Sequence, residues 1–410
     1  MTSVPSLRRG RPVWLPADRP RQRYPTLEGR CETDVAIVGG GMTGALVARE
    51  FAAAGVPVCL VEAALVARGS TAASSALLLQ EPDMSIARLA RRHGGAASRR
   101  VWRLSHDAVH DFVGLLERLD ITCDLERRDA LYYATTEDAV RRLRGEFADR
   151  AQAGFEGEWL TPGALRGLTG LPARGAIRTS GNAQFNPYTA CVGVLKAARS
   201  AGAQIFERSA ATRIVGRRDG VHVRTATGSI DARRVVIATG YATEHFRPLA
   251  GRFRMYDTYV LATRRLTKAD RRELGLGDVM IWDTERPYHY ARWTPDHRLL
   301  LGGGDRLVRS GRRREARFAA GARRLREDFE TLLPALADIG VADQWEGRFA
   351  MTPDSLPYIG AHRRYPGHLF ALGYGGNGMT FGFLAARMLL EQWQGIRSRD
   401  HDLFRFGRLR

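Results

Sequence analysis

Cysteine is scarce in this sequence. Cys31, Cys59, Cys123 and Cys191 are its four cysteines, far apart, with no CxxC pair and no His or Cys at metal-ligand spacing. That excludes a zinc or disulfide scaffold; no metal is expected, and a reducing, cytoplasmic setting is. Long apolar runs are missing too: none approaches the roughly 18 residues of a membrane helix, so no transmembrane segment is expected. Lysine is almost absent. Lys196 and Lys268 stand alone, and arginine carries a net charge of +19. The arginines are spread along the chain, as codon choice in a GC-rich genome would spread them. The two dense clusters, 91–103 and 309–327, fit helices with a solvated basic face. No recognised nucleic-acid-binding signature is present, and no nucleic-acid partner is expected. The first thirty residues hold Pro5, Pro12, Pro16, Pro20 and Pro25 and no apolar core segment, so they read as an irregular arm and not as a signal peptide.

What is present is a normal globular composition, 44% hydrophobic over 410 residues, which suits two domains better than one. Asp34–Val38 is a short apolar strand, Gly39-Gly40-Gly41-Met42-Thr43-Gly44 reads GxGxxG, and Ala45–Phe51 continues as a helix. The glycines meet distinct physical demands. Gly39 allows the tight turn, Gly41 the backbone approach to a pyrophosphate, and Gly44 the close packing of helix on strand. A second strand, Val58–Val61, closes with Glu62, about 20 positions after the turn, where a ribose hydroxyl would be gripped. This unit binds an adenine dinucleotide, with Met42 and Thr43 opening the helix whose amides face the phosphates.

The turn does not choose between NAD and FAD; later segments do. After Glu62 and Ala63 comes a loop rich in small and hydroxyl residues, Gly69-Ser70-Thr71-Ala72-Ala73-Ser74-Ser75. Further on, Ala210–Ile214 enters a hairpin with Val221–Val223, and Arg234–Gly240 forms a strand ending in Ala238-Thr239-Gly240. Near the end stand Thr352-Pro353-Asp354-Ser355-Leu356-Pro357-Tyr358-Ile359-Gly360 and Gly373-Tyr374-Gly375-Gly376-Asn377-Gly378-Met379-Thr380. In this order, from about Asp34 to Ile396, the segments resemble the D-amino-acid oxidase-like (DAO) family of FAD-dependent oxidoreductases. They are most similar to its glycine/sarcosine oxidase and γ-glutamylputrescine oxidase-like members.

The resemblance implies FAD, held by Gly39, Gly41, Met42, Thr43, Gly44, Glu62 and Ala63. It adds Gly69, Ser70, Thr71 and Ser74 from the loop, and Ala211, Thr239 and Gly240 from the second half. The last turn contributes Gly375, Gly376, Asn377, Gly378, Met379 and Thr380. It further implies an α/β fold: a Rossmann-type, glutathione-reductase-like FAD-binding domain interleaved with an α+β substrate domain on a mixed or antiparallel sheet. The expected boundaries are 1–30 for the arm, 31–85, 182–252 and 349–398 for the FAD-binding domain, and 86–181 and 253–348 for the substrate domain. Trp14 and Tyr24 are candidate anchors of the arm on the FAD-binding domain.

Two departures narrow the expectation. Sarcosine-oxidising members have GHGFK in the closing turn, where this chain has Asn377 for the histidine and Thr380 for the lysine implicated in oxygen activation. The acceptor, O2 or a quinone or other electron carrier, therefore stays open. Their flavin-linking cysteine would fall at Gly347, so FAD is expected to be noncovalent.

Within the substrate half, Val101, Leu104, Ala108, Phe112, Leu115, Leu116 and Leu119 keep helical spacing. Pro287-Tyr288-His289-Tyr290-Ala291-Arg292-Trp293 reads as a strand with Tyr288, Tyr290 and Arg292 on one face. That face either lines a substrate pocket, Arg292 gripping a carboxylate, or packs across a sheet. Asn377 joins Tyr288, Tyr290 and Arg292 as a candidate substrate contact. His289 reads more simply as structural, and no catalytic base is assigned.

The reaction the resemblance implies is oxidation of the C–N bond of a small amine or amino acid. Hydride passes to flavin N5, and the imine is hydrolysed. The alternatives are oxidation of a 2-hydroxy acid or similar CH–OH donor, a flavoprotein subunit that needs a partner, and a basic nucleic-acid-binding protein with a purely structural turn.

Overall fold

The structure is a computed structural model, and it describes residues 7–16, 23–309 and 314–409. Pro5 and Pro20 of the arm, and residues 310–313 of the second arginine cluster, lie outside the described residues.

One sheet carries the GxGxxG turn. Strands Gln204–Phe206, Val58–Val61, Gly29–Val38, Gly228–Gly240 and Tyr365–Leu372 run parallel in that spatial order, and Tyr358–His362 closes the edge antiparallel. The hairpin Arg213–Gly216/Val221–Arg224 hangs on the strand Gly228–Gly240. A parallel sheet covered on both faces needs apolar residues at successive positions. Here Val35 and Ile37 point into one core with Leu46, Phe51, Leu195 and Leu389. Ala36 points into the other with Cys59, Ile237 and Phe370. Helices Met42–Ala53, Pro187–Ser200 and Gly378–Trp393 pack on the first face.

The second sheet is mixed. Its order is Arg8–Gly10, Val341–Met351, Arg254–Thr263, Leu299–Leu307, His289–Trp293, Met280–Asp283, Glu126–Ala134, Gly175–Gln184 and Leu77–Leu78. Among the described strands of this sheet only the pair Met280–Asp283/Glu126–Ala134 is parallel. Alternation sorts its two faces. Tyr259, Leu261 and Leu301 lie under helix Arg314–Leu332 with Phe318, Leu325 and Phe329, while Val260, Ala262, Leu300 and Trp345 join the core of the nucleotide-binding half.

Chain segments cross between the sheets at points that differ from the expected boundaries. Arg8–Gly10 of the arm is not irregular: it pairs with the strand Val341–Met351 as an edge of this sheet. Leu77–Leu78 belongs to the second sheet, and Gly175–Gln184 runs past position 182 within it. The basic run 91–103 is split between helices Ile86–His93 and Gly95–Arg118, because Gly94 turns the chain at φ +86°. No described helix is long and apolar enough to cross a membrane.

Candidate active site

The two sheets enclose between them a cavity of about 890 Å³. At one end the strand Gly29–Val38 delivers the glycine turn. Gly39 sits at φ +114°, and a Cβ there would stand 2.7 Å from the Ala238 carbonyl oxygen. Gly44 lies so close beneath that its Cβ would meet the Gly39 carbonyl oxygen at 1.8 Å, so the helix rests directly on the strand end. The Met42 amide donates to Thr71 Oγ1 at 2.9 Å, which ties the helix N-terminus to the hydroxyl-rich loop. Glu62 accepts from the Gly40 amide at 2.8 Å and the Ala64 amide at 2.9 Å. Burial pushes its carboxyl above the ordinary value, and the amide contacts oppose that shift.

Of the expected cofactor residues, Gly39, Gly41, Met42, Thr43, Glu62, Ala63, Gly69, Ser70, Thr71 and Ser74 line this cavity. So do Ala211, Thr239, Gly240, Gly375, Gly376, Asn377, Gly378 and Met379. Gly44 acts behind the surface, as a packing glycine should. Thr380 is the exception: it is buried behind the lining, and its hydroxyl donates to the Leu79 carbonyl oxygen at 3.1 Å. The fit to FAD follows from the shape. A side-chain-free turn, an acidic residue at the second strand end and a second glycine turn 375–378 open on one elongated space. A Cβ on Gly375 or Gly376 would collide with Asp83.

The far end of the cavity is the candidate substrate chamber. Tyr256, Trp282, Tyr288 and Tyr290 wall it, with Asp83 and Asp305 among them. Trp282 is held by a stacked contact with Tyr132, centroids 3.7 Å apart. Tyr290 lies over Gly302 of the neighbouring strand, where a Cβ would stand 2.2 Å from its ring. Burial pushes the Tyr288 and Tyr290 hydroxyls upward, Tyr290 to about 12, so both stay protonated near neutral pH. Asn377 is buried and donates to the Glu81 carbonyl oxygen at 2.9 Å, which fastens the closing turn to the segment carrying Asp83.

Arg292 does not reach the chamber, contrary to expectation. Alternation put it on the right face, but the cavity ends before it. Its Nε donates to the Ser75 carbonyl oxygen at 2.6 Å and another guanidinium nitrogen to the Phe185 carbonyl oxygen at 2.8 Å. Its charge lies 4.8 Å from the Trp14 ring centroid, and it is 1% exposed. It is not among the described residues that line the cavity. His289, on the opposite face, is paired with Asp283 at 2.9 Å and Asp328 at 3.3 Å, the structural role expected of it.

Asp83, Asp305, Tyr256 and Trp282 were not legible as site residues. Asp305 left one trace: it is an acidic residue ending the apolar run Leu299-Leu300-Leu301-Gly302-Gly303-Gly304.

The DAO family profile, described as FAD dependent oxidoreductase, matches residues 34–408. The chain belongs to this family. It is similar to the γ-glutamylputrescine oxidoreductase of Escherichia coli (strain K12), 27% identical over 380 residues that cover 92% of this chain and 87% of that protein. It is also similar to the glycine oxidase of Bacillus licheniformis, 22% identical over 92% of this chain and 94% of that protein. The crystal structure of glycine oxidase from Geobacillus kaustophilus superposes with a TM-score of 0.77 at 22% identity, covering 90% of this chain and 96% of that one. This DAO family member is therefore an FAD-dependent oxidoreductase, and its mixed α/β architecture is the family's fold.

Proposed function

We propose that this protein oxidises a C–N bond of a small amine or amino acid, taking CH–NH to C=N, with the imine then hydrolysed by water. The observation that supports this most is the continuity of one cavity from the dinucleotide cradle to the chamber of tyrosines, Trp282 and two carboxylates. FAD, when bound noncovalently, supplies the two-electron acceptor for the hydride that leaves carbon. The chain itself supplies position and dryness. Tyr256, Trp282, Tyr288 and Tyr290 offer flat apolar faces that hold the donor carbon and displace water. The Gly376 amide, held on Asp83 at 2.7 Å, fixes the start of the closing helix against the chamber. No side chain is assigned as a base, because an amine that enters neutral needs none. The names of the relatives, an oxidoreductase of a substituted diamine and an oxidase of an amino acid, support a C–N donor.

The acceptor is O2 or a quinone or other carrier. No lysine is among the described residues lining the cavity. The test is anaerobic addition of a panel of amines and amino acids to the FAD-loaded protein, followed by visible absorption and assay for released ammonia or amine. Bleaching with a nitrogenous product supports the reading. Bleaching by 2-hydroxy acids alone, with no such product, overturns it.

A further inference from the structure

We infer that the substrate carries a second, non-reacting positively charged nitrogen, held in the chamber by Asp83 and Asp305. The inference rests on the amine-oxidising reading above.

The two carboxylates come from distant parts of the chain and face one end of one cavity. Asp83 Oδ2 accepts the Gly376 amide at 2.7 Å. Its Oδ1 and the Tyr288 hydroxyl both lie 2.9 Å from the point where a Cβ on Gly376 would stand, so they are neighbours. Asp305 is hydrogen-bonded by Thr258, but its Oδ1 is buried without any partner. A buried charged acceptor left unpaired is costly, and it marks a place where a ligand brings the donor.

Neither carboxylate forms an ion pair among the described residues. His289 is occupied by Asp283 and Asp328, and Arg348 by Asp257 at 2.8 Å. Arg88 and Arg286 are exposed residues of the cavity lining; Arg286 donates to the Glu285 carbonyl oxygen, and its charge acts on Asp83 without forming an ion pair with it. Burial holds both carboxyls up at about 6, Asp305 also through repulsion from Asp83, against the opposing charges of Arg286 at Asp83 and of His289 at Asp305. Near neutral pH both carry negative charge with no ion-pair partner among the described residues.

The bound cation is not the reacting nitrogen. A carboxylate pair against that nitrogen would hold it as ammonium, and hydride leaves only a carbon whose nitrogen has a free lone pair. A distal ammonium has no such conflict. The rings of Tyr288 and Tyr290, with centroids 6.0 Å apart, offer it π faces as well.

The test uses the FAD-loaded full chain, with FAD content measured from absorption. Butyltrimethylammonium, a cation with no oxidisable free amine, and N-butylacetamide, its neutral counterpart, are titrated by flavin difference spectra. The wild type should bind the cation at least about tenfold more tightly than the amide, and Asp305→Asn and Asp83→Asn should each lose most of that preference. In turnover, 1,4-diaminobutane should exceed N-acetyl-1,4-diaminobutane in kcat/KM by a similar factor, and the factor should shrink in both variants. No preference for the cation in the wild type, or an unchanged preference in folded variants, overturns the inference while leaving amine oxidation intact. If no amine reduces the flavin, it is the proposed function that fails. The binding arm still decides whether the carboxylates hold a cation. The wild-type comparison of the two probes needs no variant, so it remains decisive even where a variant misfolds.

Discussion

The indole Nε1 of Trp14 donates to the carbonyl oxygen of Ser74 at 2.9 Å, so the N-terminal arm grips the hydroxyl-rich loop that lines the cavity. The same ring covers the buried guanidinium of Arg292, and Arg8 Nε donates to the Arg68 carbonyl oxygen at 2.8 Å. The arm is thereby a clamp on residues 68–74. We expect Trp14→Ala to cost about 3–5 kcal/mol of stability, as large aromatic truncations do, and to release FAD on gel filtration. Trp14→Phe keeps the ring and loses only the hydrogen bond, so it should retain most of the FAD. Equal FAD content in all three proteins would show that the arm does not act on the cofactor loop.

Arg292→Ala should act on stability and not on substrate affinity. It strands two buried carbonyl oxygens, of Ser75 and Phe185, at a cost of about 1–3 kcal/mol each. Thermal unfolding should therefore shift downward, while KM for carboxylate and non-carboxylate substrates changes alike. A KM rise confined to carboxylates would return Arg292 to the chamber.

Glu62→Gln leaves one oxygen to accept where the carboxylate offers two to the Gly40 and Ala64 amides. FAD affinity should fall on the order of tenfold, roughly 1.4 kcal/mol, in a fluorescence titration of the apoprotein. Unchanged affinity would mean that the carboxylate shapes the turn without touching the ribose.

Gly302→Ala places a methyl where the Tyr290 ring lies, 2.2 Å away. The ring must swing into the chamber. We expect kcat/KM to drop on the order of tenfold to a hundredfold with FAD content unchanged, since Gly302 is outside the cofactor cradle. A variant with normal kinetics would show that the Tyr290 ring does not position the donor.

Asp305 sets a pH dependence of stability. Its folded carboxyl, at about 6, lies above the unfolded value of 3.8, so the native apoprotein binds more protons between those limits. The resulting destabilisation is fully present above about pH 6 and is relieved as pH falls toward 3.8. Asp305→Asn removes it. The variant should therefore gain about 1–2 kcal/mol over wild type at pH 8, discounted for partial exposure, and little at pH 4. Denaturant unfolding of both apoproteins at the two pH values reads this directly. A stability difference that does not change with pH would mean that Asp305 is not raised.

Local geometry made much of this protein legible before any tertiary contact was known. The run 34–62 is a continuous strand, turn, helix and strand, and glycine sterics plus apolar periodicity specify it from within. Accordingly Gly39, Gly41 and Glu62 line the cavity, and Gly44 packs the helix where expected. The closing turn 375–379 is local in the same sense. The stretch 288–293 was half legible. Alternation sorted Tyr290 and Arg292 onto one face and His289 and Trp293 onto the other. It carried no information on where the cavity stops.

What the tertiary structure alone decided is which distant residues share that cavity. Asp83 meets Asp305 only because the strand Leu77–Leu78 and the strand Leu299–Leu307 join one sheet beside the closing turn. Arg292 became a buried prop because Ser75, Phe185 and Trp14 converge on it from three other segments. Periodicity and backbone sterics act over a few residues and are written in the sequence. Enclosure and carboxylates without an ion pair arise from sheet register and chain crossover, which no short stretch contains.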